Sequence, residues 1–276
     1  MIRHRTQNII LLFLLLVLLI TSSITYLAFR INDRKKNIFI QSNQRQIEKS
    51  VNIAKSLEFK RIQQIVFEYS IWDDMVRFVQ SKSSSWAKIN ADPIIKTYST
   101  DVIWTFDTTG LKTYCKTRDT YPQLKDYKFE SFIFDSLKNT KVINYYIETP
   151  YGVLEIFGAT IHPSSDRDRL TKPRGFFLIG KFIDNNFLQD LSAITGTQIS
   201  YTGDTLQSNH ELVSINIPLT MLDSNVVKYL HVEKHLDFLQ QYDNFSLQLI
   251  ILYSISALII FISFIVFTLR WINRPL

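Results

Sequence analysis

Two uncharged, strongly apolar segments lie near the two ends of the chain. Residues 9–29 form a run of 21 positions and residues 245–269 a run of 25 positions without a charged side chain. At about 1.5 Å per residue, each segment as a helix reaches across the roughly 30 Å hydrocarbon core of a bilayer. The pattern predicts two transmembrane helices, a cytoplasmic N-terminus at 1–8 and a folded domain at 30–244.

The first apolar segment has an alternative interpretation. Its Leu-rich half, IILLFLLLVLLI, followed by TSS, is also typical of a signal peptide. No clear A-x-A cleavage pattern follows, and the apolar run continues to spanning length, which favours an uncleaved anchor. Arg270 and Arg274 directly after the second segment indicate that this end faces the cytoplasm. With two spans, residues 30–244 then lie on the opposite side of the membrane.

The first half of the central domain has a helical pattern. Residues 37–80 contain neither Pro nor Gly, and apolar positions three and four apart predict one long helix continuing out of the membrane. On a helical wheel, Asp73 falls inside the apolar stripe, with Tyr69 and Arg77 one turn away on either side. A buried carboxylate needs hydrogen bonds or a partner charge. Asp73 therefore either bonds backbone N–H groups of an adjoining loop or helps to hold a ligand.

After a break at 81–85 the pattern becomes that of a β-sheet domain. Hairpin turns are predicted at 108–110 and 150–152, and short helices at 129–137 and 185–195. Hairpins in place of strand–helix–strand crossovers indicate an α+β fold with an antiparallel sheet. Runs of β-branched and aromatic residues predict strands at 101–107, 111–116, 142–149, 153–161, 175–183, 197–202, 211–218 and 226–232.

The net charge of +6 is concentrated beside the membrane segments. Residues 1–36 and 245–276 carry eight of the 31 Lys and Arg residues but one of the 25 Asp and Glu residues. The central domain is therefore nearly neutral, which removes the main electrostatic support for nucleic-acid binding. Cys115 is the single cysteine, so neither an intrachain disulfide nor a paired-cysteine metal site is expected.

Candidate chemistry in the central domain is sparse. His231 and His235 have a helical metal-ligand spacing but no third ligand nearby, so no metal site is predicted. The charged stretch 166–169 is interpreted as a solvated loop. Motifs for nucleophilic hydrolysis, zinc proteolysis and phosphate binding are missing from the sequence. We therefore predict no catalytic residue and no cofactor.

Three segments of the central domain form a recognisable pattern: EYSIWDDMVRFV, DVIWTFDTTGLKTY and FFLIGKFIDNNFLQDLSAITGTQISY, with Trp86 and Asn90 between the first two. They resemble the type-four CHASE domain, an extracytoplasmic sensor module of bacterial signalling proteins. The Trp72-Asp73-Asp74 triplet together with Asp107-x-x-Gly110 gives the resemblance its specificity. It covers residues of about 40 to 240.

The resemblance implies a fold and a membrane location. The expected fold is a PAS/Cache-like antiparallel sheet on a long N-terminal helix, bracketed by two transmembrane helices. The expected location is the bacterial inner membrane, with the central domain extracytoplasmic. The ending IxRPL is similar to the start of a cytoplasmic HAMP linker, in which Arg274 and Pro275 would take part in signal transmission. Because that linker is a dimeric bundle, a parallel homodimer is expected.

The resulting functional hypothesis is the input half of a two-component sensor histidine kinase that detects an unknown small-molecule or protein signal. The alternatives are the input module of a diguanylate cyclase or phosphodiesterase, and, from another class, a membrane-anchored extracytoplasmic hydrolase. The chain stops before any output domain, so we expect a fragment or a truncated product without kinase activity. The candidate ligand-binding residues are Tyr69, Trp72, Asp73, Arg77 and Trp104.

Overall fold

The computed structural model of the chain describes residues 2–202 and 212–272. In this part of the chain, helices make up the first third, strands with short helices follow, and a long helix comes last. The helices are α1 (Ile2–Ser70), α2 (Asp73–Ser81), α3 (Ser84–Asn90), α4 (Asp92–Thr97), α5 (Ser131–Thr140), α6 (Asn185–Thr195) and α7 (Asp237–Ile272), with a 3-10 turn at Pro122–Asp126. The strands are β1 (Val102–Phe106), β2 (Lys112–Thr117), β3 (Val142–Thr149), β4 (Gly152–Ile161), β5 (Gly175–Phe182), β6 (Gln198–Thr202), β7 (Leu212–Thr220) and β8 (Val226–His235).

The chain divides into two compact units. One consists of Ile47–Ser208 and Ser214–Lys234, and the other consists of Met1–Gln46, Asn209–Val213 and His235–Leu276. The first unit contains the two β-sheets. The second contains both apolar segments, and within it Asn32 of α1 donates a side-chain hydrogen bond to Ser246 of α7.

The main sheet has five strands in the order β2-β1-β5-β4-β3, and the recorded strand pairs are antiparallel. Strands β4 and β5 are buried along almost their whole length. Successive side chains of a strand point to opposite faces, so such continuous burial requires a covered surface on both sides of the sheet.

Helix α1 covers one face of this sheet. The Phe59 ring lies 5.5 Å from the Phe157 ring of β4 and 4.9 Å from the Phe187 ring of α6. Further along the helix, the Tyr69 ring stacks 6.1 Å from the Phe177 ring of β5. The apolar positions three and four apart in α1 thus form the stripe that the sequence predicts, and the sheet buries it.

Helix α5 covers the opposite face. Its Phe134 ring lies 5.1 Å from Phe176, the neighbour of Phe177 on β5, and 4.9 Å from Phe106 of β1. The same ring explains a glycine in the β1–β2 turn. Gly110 has a φ of +86°, and a Cβ built there would lie 2.8 Å from the Phe134 ring. Both the backbone conformation and the space therefore favour Gly at this position.

The smaller sheet has three strands in the order β6-β8-β7, with β6 antiparallel to β8. Helix α6 precedes it and begins at Asp184, whose carboxylate accepts a hydrogen bond of 2.8 Å from the Phe187 amide. The helix ends at Gly196, which has a φ of +63°. This confirms the predicted glycine after the helix and the α+β class with antiparallel sheets.

The prediction of one helix over 37–80 is wrong. Helix α1 ends at Ser70, and α2 begins at Asp73 after a two-residue break. The physical reason is that Ile71 forms a parallel β-bridge with His162, which requires an extended backbone. The placement of Asp73 on a buried stripe is also wrong, because the structure leaves this residue exposed at the start of α2.

Two described helices are long and apolar enough to cross a membrane. One lies within Leu15–Ser70, with a mean hydropathy of 1.6 in its most apolar stretch, and the other within Asn244–Val266, with a value of 2.8. Neither stretch is buried in the protein. These helices flank the sheet domain along the chain, an arrangement consistent with a two-pass membrane protein. Arg274 and Pro275 lie outside the described residues, and their signalling role stays a prediction.

Candidate functional site

The last turn of α1 is joined to the loop that follows β4. The amide of His162 donates a hydrogen bond of 2.8 Å to the carbonyl of Ser70, directly beside the bridge between His162 and Ile71. We call this contact between residues 69–73 and 162–171 the α1 junction. It fixes the point at which the long helix ends, because the loop uses the backbone groups that would continue the helix.

Asp73 binds the same loop. Its carboxylate accepts a hydrogen bond of 3.0 Å from the amide of Ser164, and its own amide donates one of 3.3 Å to the Ser164 hydroxyl. The structure therefore shows the first of the two interpretations of Asp73, in which the carboxylate satisfies a backbone N–H group of an adjoining loop. A ligand-holding role for Asp73 stays a prediction.

The loop side of the α1 junction contains a buried histidine. His162 is fully buried, with Nδ1 at 2.9 Å from the Asp166 carboxylate and Nε2 at 3.1 Å from the Thr160 hydroxyl. Burial lowers the pKa of His162, although the Asp166 carboxylate opposes that effect. Asp166 also accepts hydrogen bonds from the Thr171 hydroxyl and amide, which hold the pKa of its carboxyl far below the ordinary value. Hydrogen bonds among its own side chains and backbone thus hold the loop in one conformation.

Arg169 connects this loop to α1, which corrects the prediction of a solvated loop at 166–169. The side chain is 5% exposed and donates a hydrogen bond of 2.7 Å to the Ser70 hydroxyl and another to the Thr160 carbonyl. Its guanidinium also lies 5.2 Å from the centre of the Phe67 ring. The alternation of acidic and basic residues in this loop does not indicate that Arg169 is buried, because its partner Ser70 lies 99 residues away in the sequence.

The structure brings Tyr69 and Trp72 together at the α1 junction. Their rings meet edge to face at 5.6 Å, and the Trp72 ring also lies 5.3 Å from the ring of Trp86 in α3. All three side chains are only partly buried. The junction therefore presents a half-exposed aromatic surface beside Asp73, the kind of amphipathic surface on which ligands bind.

The structure does not bring Arg77 and Trp104 into this group. Arg77 is 73% exposed and pairs with Asp74 of its own helix. Trp104 is fully buried, and its indole N–H donates a hydrogen bond of 3.2 Å to the carbonyl of Leu124. Its strand partner is Leu178, the neighbour of Phe177, so Trp104 lies on the α5 face of the sheet while Tyr69 lies on the α1 face.

The sequence analysis missed a buried polar cluster under α1. Glu155 of β4 is 2% exposed and lies between Tyr146 of β3 and Lys181 of β5 in the strand register. From α1, the Lys55 ammonium group lies 5.2 Å from the centre of the Tyr146 ring. The sequence did contain a signal for this cluster, because Glu155 is the one acidic residue in the otherwise apolar strand VLEIFGATI. Ionisable side chains therefore lie between the long helix and the sheet.

The electrostatics of this cluster are dominated by burial. Glu155 Oε2 has no hydrogen-bond partner among the described residues. Burial raises the pKa of Glu155 to about 7, against the opposing influence of Lys55 and of hydrogen bonds from Asn144 and Tyr146. Burial also lowers the pKa of Lys55. The carboxyl therefore changes its charge near neutral pH, at a site where the helix contacts the sheet.

A groove of about 560 Å³ lies between α1 and the β3–β4 edge of the sheet. Its walls are mainly apolar, with Phe67 and Phe157 among them, and Lys60, Gln64 and Asn144 supply polar groups. This volume is in the range of pockets that bind small molecules, roughly 300 to 1,000 Å³. In the described part of the chain, no group of His, Cys, Asp and Glu residues has an arrangement suited to a metal ion.

The two histidines with metal-ligand spacing lie on a strand rather than on a helix. His231 Nδ1 is 2.7 Å from the Asn216 amide oxygen, and its Nε2 is 2.9 Å from the Glu233 carboxylate. His235 ends the same strand, β8. Four residues along a strand span about 13 Å, so the two rings are not placed to share one ion.

Comparison with known proteins identifies the central domain. The model of the CHASE4 domain matches residues 56–202, which is more than half of the chain. The chain belongs to the CHASE4 family. The matched part of this CHASE4 protein runs from α1 to β6 and contains the whole α1 junction. It is a sensor domain, and no catalytic domain is identified in the chain.

Two solved structures also match the CHASE4 chain. The periplasmic domain of Vibrio cholerae LuxQ gives a TM-score of 0.48 at 9% sequence identity, covering 69% of this chain and 99% of that chain. A selenomethionine structure of the same domain gives a TM-score of 0.47 at 8% identity, with 69% and 97% covered. No curated protein matches the chain.

Proposed function

We propose that this CHASE4 chain is the extracytoplasmic input and membrane-spanning half of a bacterial two-component sensor histidine kinase in the inner membrane. The observation that carries the proposal is the position of the CHASE4 match at 56–202, which begins in the last part of α1 and ends before α7, the two helices apolar enough to cross a bilayer. Residues 30–244 then receive the signal outside the cytoplasm. Arg270 in the last turn of α7 supports a cytoplasmic exit for that helix.

The signal reaches the membrane through α1 and α7. Helix α1 is continuous from Ile2 to Ser70, so its sheet-packed part around Phe59 and its apolar part belong to one helix. A ligand that binds one arrangement of α1 on the sheet more tightly shifts the population towards that arrangement. Helix shifts of about 1–2 Å are one established form of allosteric transition. The α1 junction is where such a shift would begin.

The ligand-contact surface in this proposal is the exposed side of the α1 junction. Tyr69 and Trp72 supply half-exposed rings next to Asp73. Arg77 on the following helix is exposed and pairs with Asp74, so its part in ligand binding stays a prediction. Trp104 contributes to binding only if the α5 side of the core opens, because its side chain is fully buried there. The unknown signal is a small molecule or a protein.

A parallel homodimer is supported by an exposed seam on α1. Ile53, Leu57 and Phe67 are 49%, 63% and 46% exposed, although they are large apolar residues. Together with Lys60 and Gln64 they follow the alternating four- and three-residue spacing of a coiled-coil seam. Two copies of α1 packed along this seam would bury the apolar side chains that a single copy leaves in water.

The topology is tested by labelling intact cells with a membrane-impermeant maleimide. In a Cys115→Ser background, Lys172→Cys places a thiol in an exposed loop of the sheet domain. We expect this thiol to react in intact cells, whereas Arg5→Cys should react only after permeabilisation. Reaction of the Lys172→Cys thiol only after permeabilisation would place the domain in the cytoplasm and refute the proposed topology.

The output domain is tested by the DNA that follows codon 276. A reading frame that continues into a HAMP linker and a histidine kinase supports the proposal. A continuation into a diguanylate cyclase or a phosphodiesterase would retain the sensor role and contradict the kinase assignment. A stop codon at that position would contradict a covalently linked output domain altogether.

A further inference from the structure

A basic cleft lies between the α3–α4 helices and the edge strand β2. Its volume is about 790 Å³, within the range of roughly 300 to 1,000 Å³ that small-molecule sites occupy. Four cationic side chains line it, together with the carboxylates of Asp92 and Asp119. The cations are Lys88 of α3, Lys96 of α4, Lys116 of β2 and Arg118 just after β2.

Arg118 is held in place by buried groups. Its Nε lies 3.2 Å from a carboxylate oxygen of Asp101, and its terminal nitrogen donates a hydrogen bond of 3.3 Å to the carbonyl of Thr100. The Asp101 side chain is 7% exposed, and its other oxygen accepts a hydrogen bond of 2.8 Å from the Phe182 amide. A guanidinium has five N–H donors, so Arg118 keeps donors for the cleft after making these contacts.

The three lysines of the cleft have no salt bridge within the described part of the chain. Lys88 and Lys96 are exposed, and Lys116 is partly buried on the β2 surface. Of the two acids on the cleft wall, Asp92 already accepts a hydrogen bond from the Tyr114 hydroxyl, and Asp119 is the other. Four cationic side chains against two carboxylates give the cleft a positive excess, which a bound anion would neutralise.

We propose that this cleft binds a small multivalent anion with carboxylate or phosphate groups. Arg118 supplies fixed, directional N–H donors, and Lys96 and Lys116, which also line the cleft, supply positive charge on flexible side chains. Arginine held by a buried carboxylate is well suited to such recognition, because its donor geometry matches both anionic groups. The biological meaning of the site as a signal-binding site rests on the proposed sensor function, whereas anion binding itself does not.

Binding is measured by isothermal titration calorimetry on the full chain in phosphatidylcholine nanodiscs at constant ionic strength. Citrate serves as the carboxylate probe, pyrophosphate as the phosphate probe and acetate as the monovalent reference. We expect at least one multivalent probe to bind about tenfold or more tightly than acetate, since one charge-assisted hydrogen bond is worth about that factor. The tighter probe identifies the anionic group. If both probes bind no more tightly than acetate, the proposal is overturned.

The location is tested with variants that remove one positive charge each. Lys96→Gln and Lys116→Gln should each weaken binding of the tighter probe about tenfold. Lys172→Gln removes the same charge from an exposed residue that does not line the cleft, and should leave the affinity within about twofold. Equal losses in all three variants would assign the attraction to overall charge and overturn the site. Maleimide labelling of the same chain separates this result from a failure of the receptor topology.

Discussion

The substitution Glu155→Gln should change the dependence of folding stability on pH. In the folded chain, burial raises the pKa of Glu155 from 4.5 to about 7. Between these two values the folded state keeps the proton that the unfolded state has released. The stability contributed by this carboxyl is therefore fully present below the unfolded pKa and decreases as the pH rises towards the folded pKa.

The magnitude follows from the size of the pKa shift. One pKa unit corresponds to about 1.4 kcal/mol, so ionising Glu155 costs the folded state about 3 kcal/mol by the time the pH exceeds the folded pKa. Gln has nearly the same shape and never ionises. We therefore expect Glu155→Gln to approach wild-type stability near pH 5 and to be more stable by up to about 3 kcal/mol near pH 8.

The assay is urea unfolding of the full chain in detergent micelles, followed by tryptophan fluorescence at several pH values. Other groups also have shifted pKa values: burial lowers the pKa of His162 and raises the pKa of Asp101. They are common to both proteins and cancel in the difference between variant and wild type. Glu148→Gln, at a side chain 62% exposed on β3, is the matched control and should show a much smaller pH-dependent difference. A stability difference for Glu155→Gln that stays constant from about pH 5 to about pH 8 would refute the reasoning.

Three further substitutions test the packing and the assembly. Gly110→Ala should lower the free energy of unfolding by about 1–3 kcal/mol, because the new methyl group meets the Phe134 ring at a positive φ. Arg169→Met should destabilise by about 1–3 kcal/mol, because it removes the buried hydrogen bonds from the guanidinium to the Ser70 hydroxyl and the Thr160 carbonyl at the α1 junction. Leu57→Cys in a cysteine-free background should form an intermolecular disulfide under mild oxidation, because the seam places identical positions opposite each other in a parallel dimer. Urea unfolding measures the first two, and non-reducing gel electrophoresis measures the third.

Each of these substitutions has a matched control. Gly152→Ala also introduces Ala at a positive φ, but no atom lies within 4 Å of its new methyl group, so its cost isolates backbone strain. Arg167→Met removes a loop arginine that is exposed and should change stability by less than about 0.5 kcal/mol. Ile89→Cys changes an α3 residue that is 73% exposed and lies outside the seam, so it should form no intermolecular disulfide. Equal results for a substitution and its control would contradict the corresponding contact.

The sequence was sufficient to predict the class of the fold. The apolar spacing in α1 and the runs of β-branched residues are local patterns, and they arise because one face of a helix or strand is buried. The turn around Gly110 was also predictable from local sequence, because glycine is the residue that most readily adopts the positive φ of such a turn. Features that depend on residues close together in the sequence could therefore be predicted from it.

The candidate site was predicted less completely, because its contacts are made between distant residues. The break after Ser70 arises from a bridge to His162, and no local signal interrupts the helical pattern there. The wheel that placed Asp73 on a buried stripe assumed an uninterrupted helix. Trp104 and Tyr69 are both predicted ligand-binding residues, but strand alternation places them on opposite faces of the sheet. Such placements require the strand register, which sequence periodicity does not supply.

The α1 junction also has a consequence for biosynthesis. The Asp73–Ser164 contact joins residues 91 positions apart, and Arg169 is made later still. At about 5 to 20 residues per second, a ribosome needs roughly 5 to 20 s to add that intervening length. During this interval α1 lacks the loop whose backbone groups end it at Ser70. The contacts that define the two-residue break therefore cannot form until that loop has been synthesised.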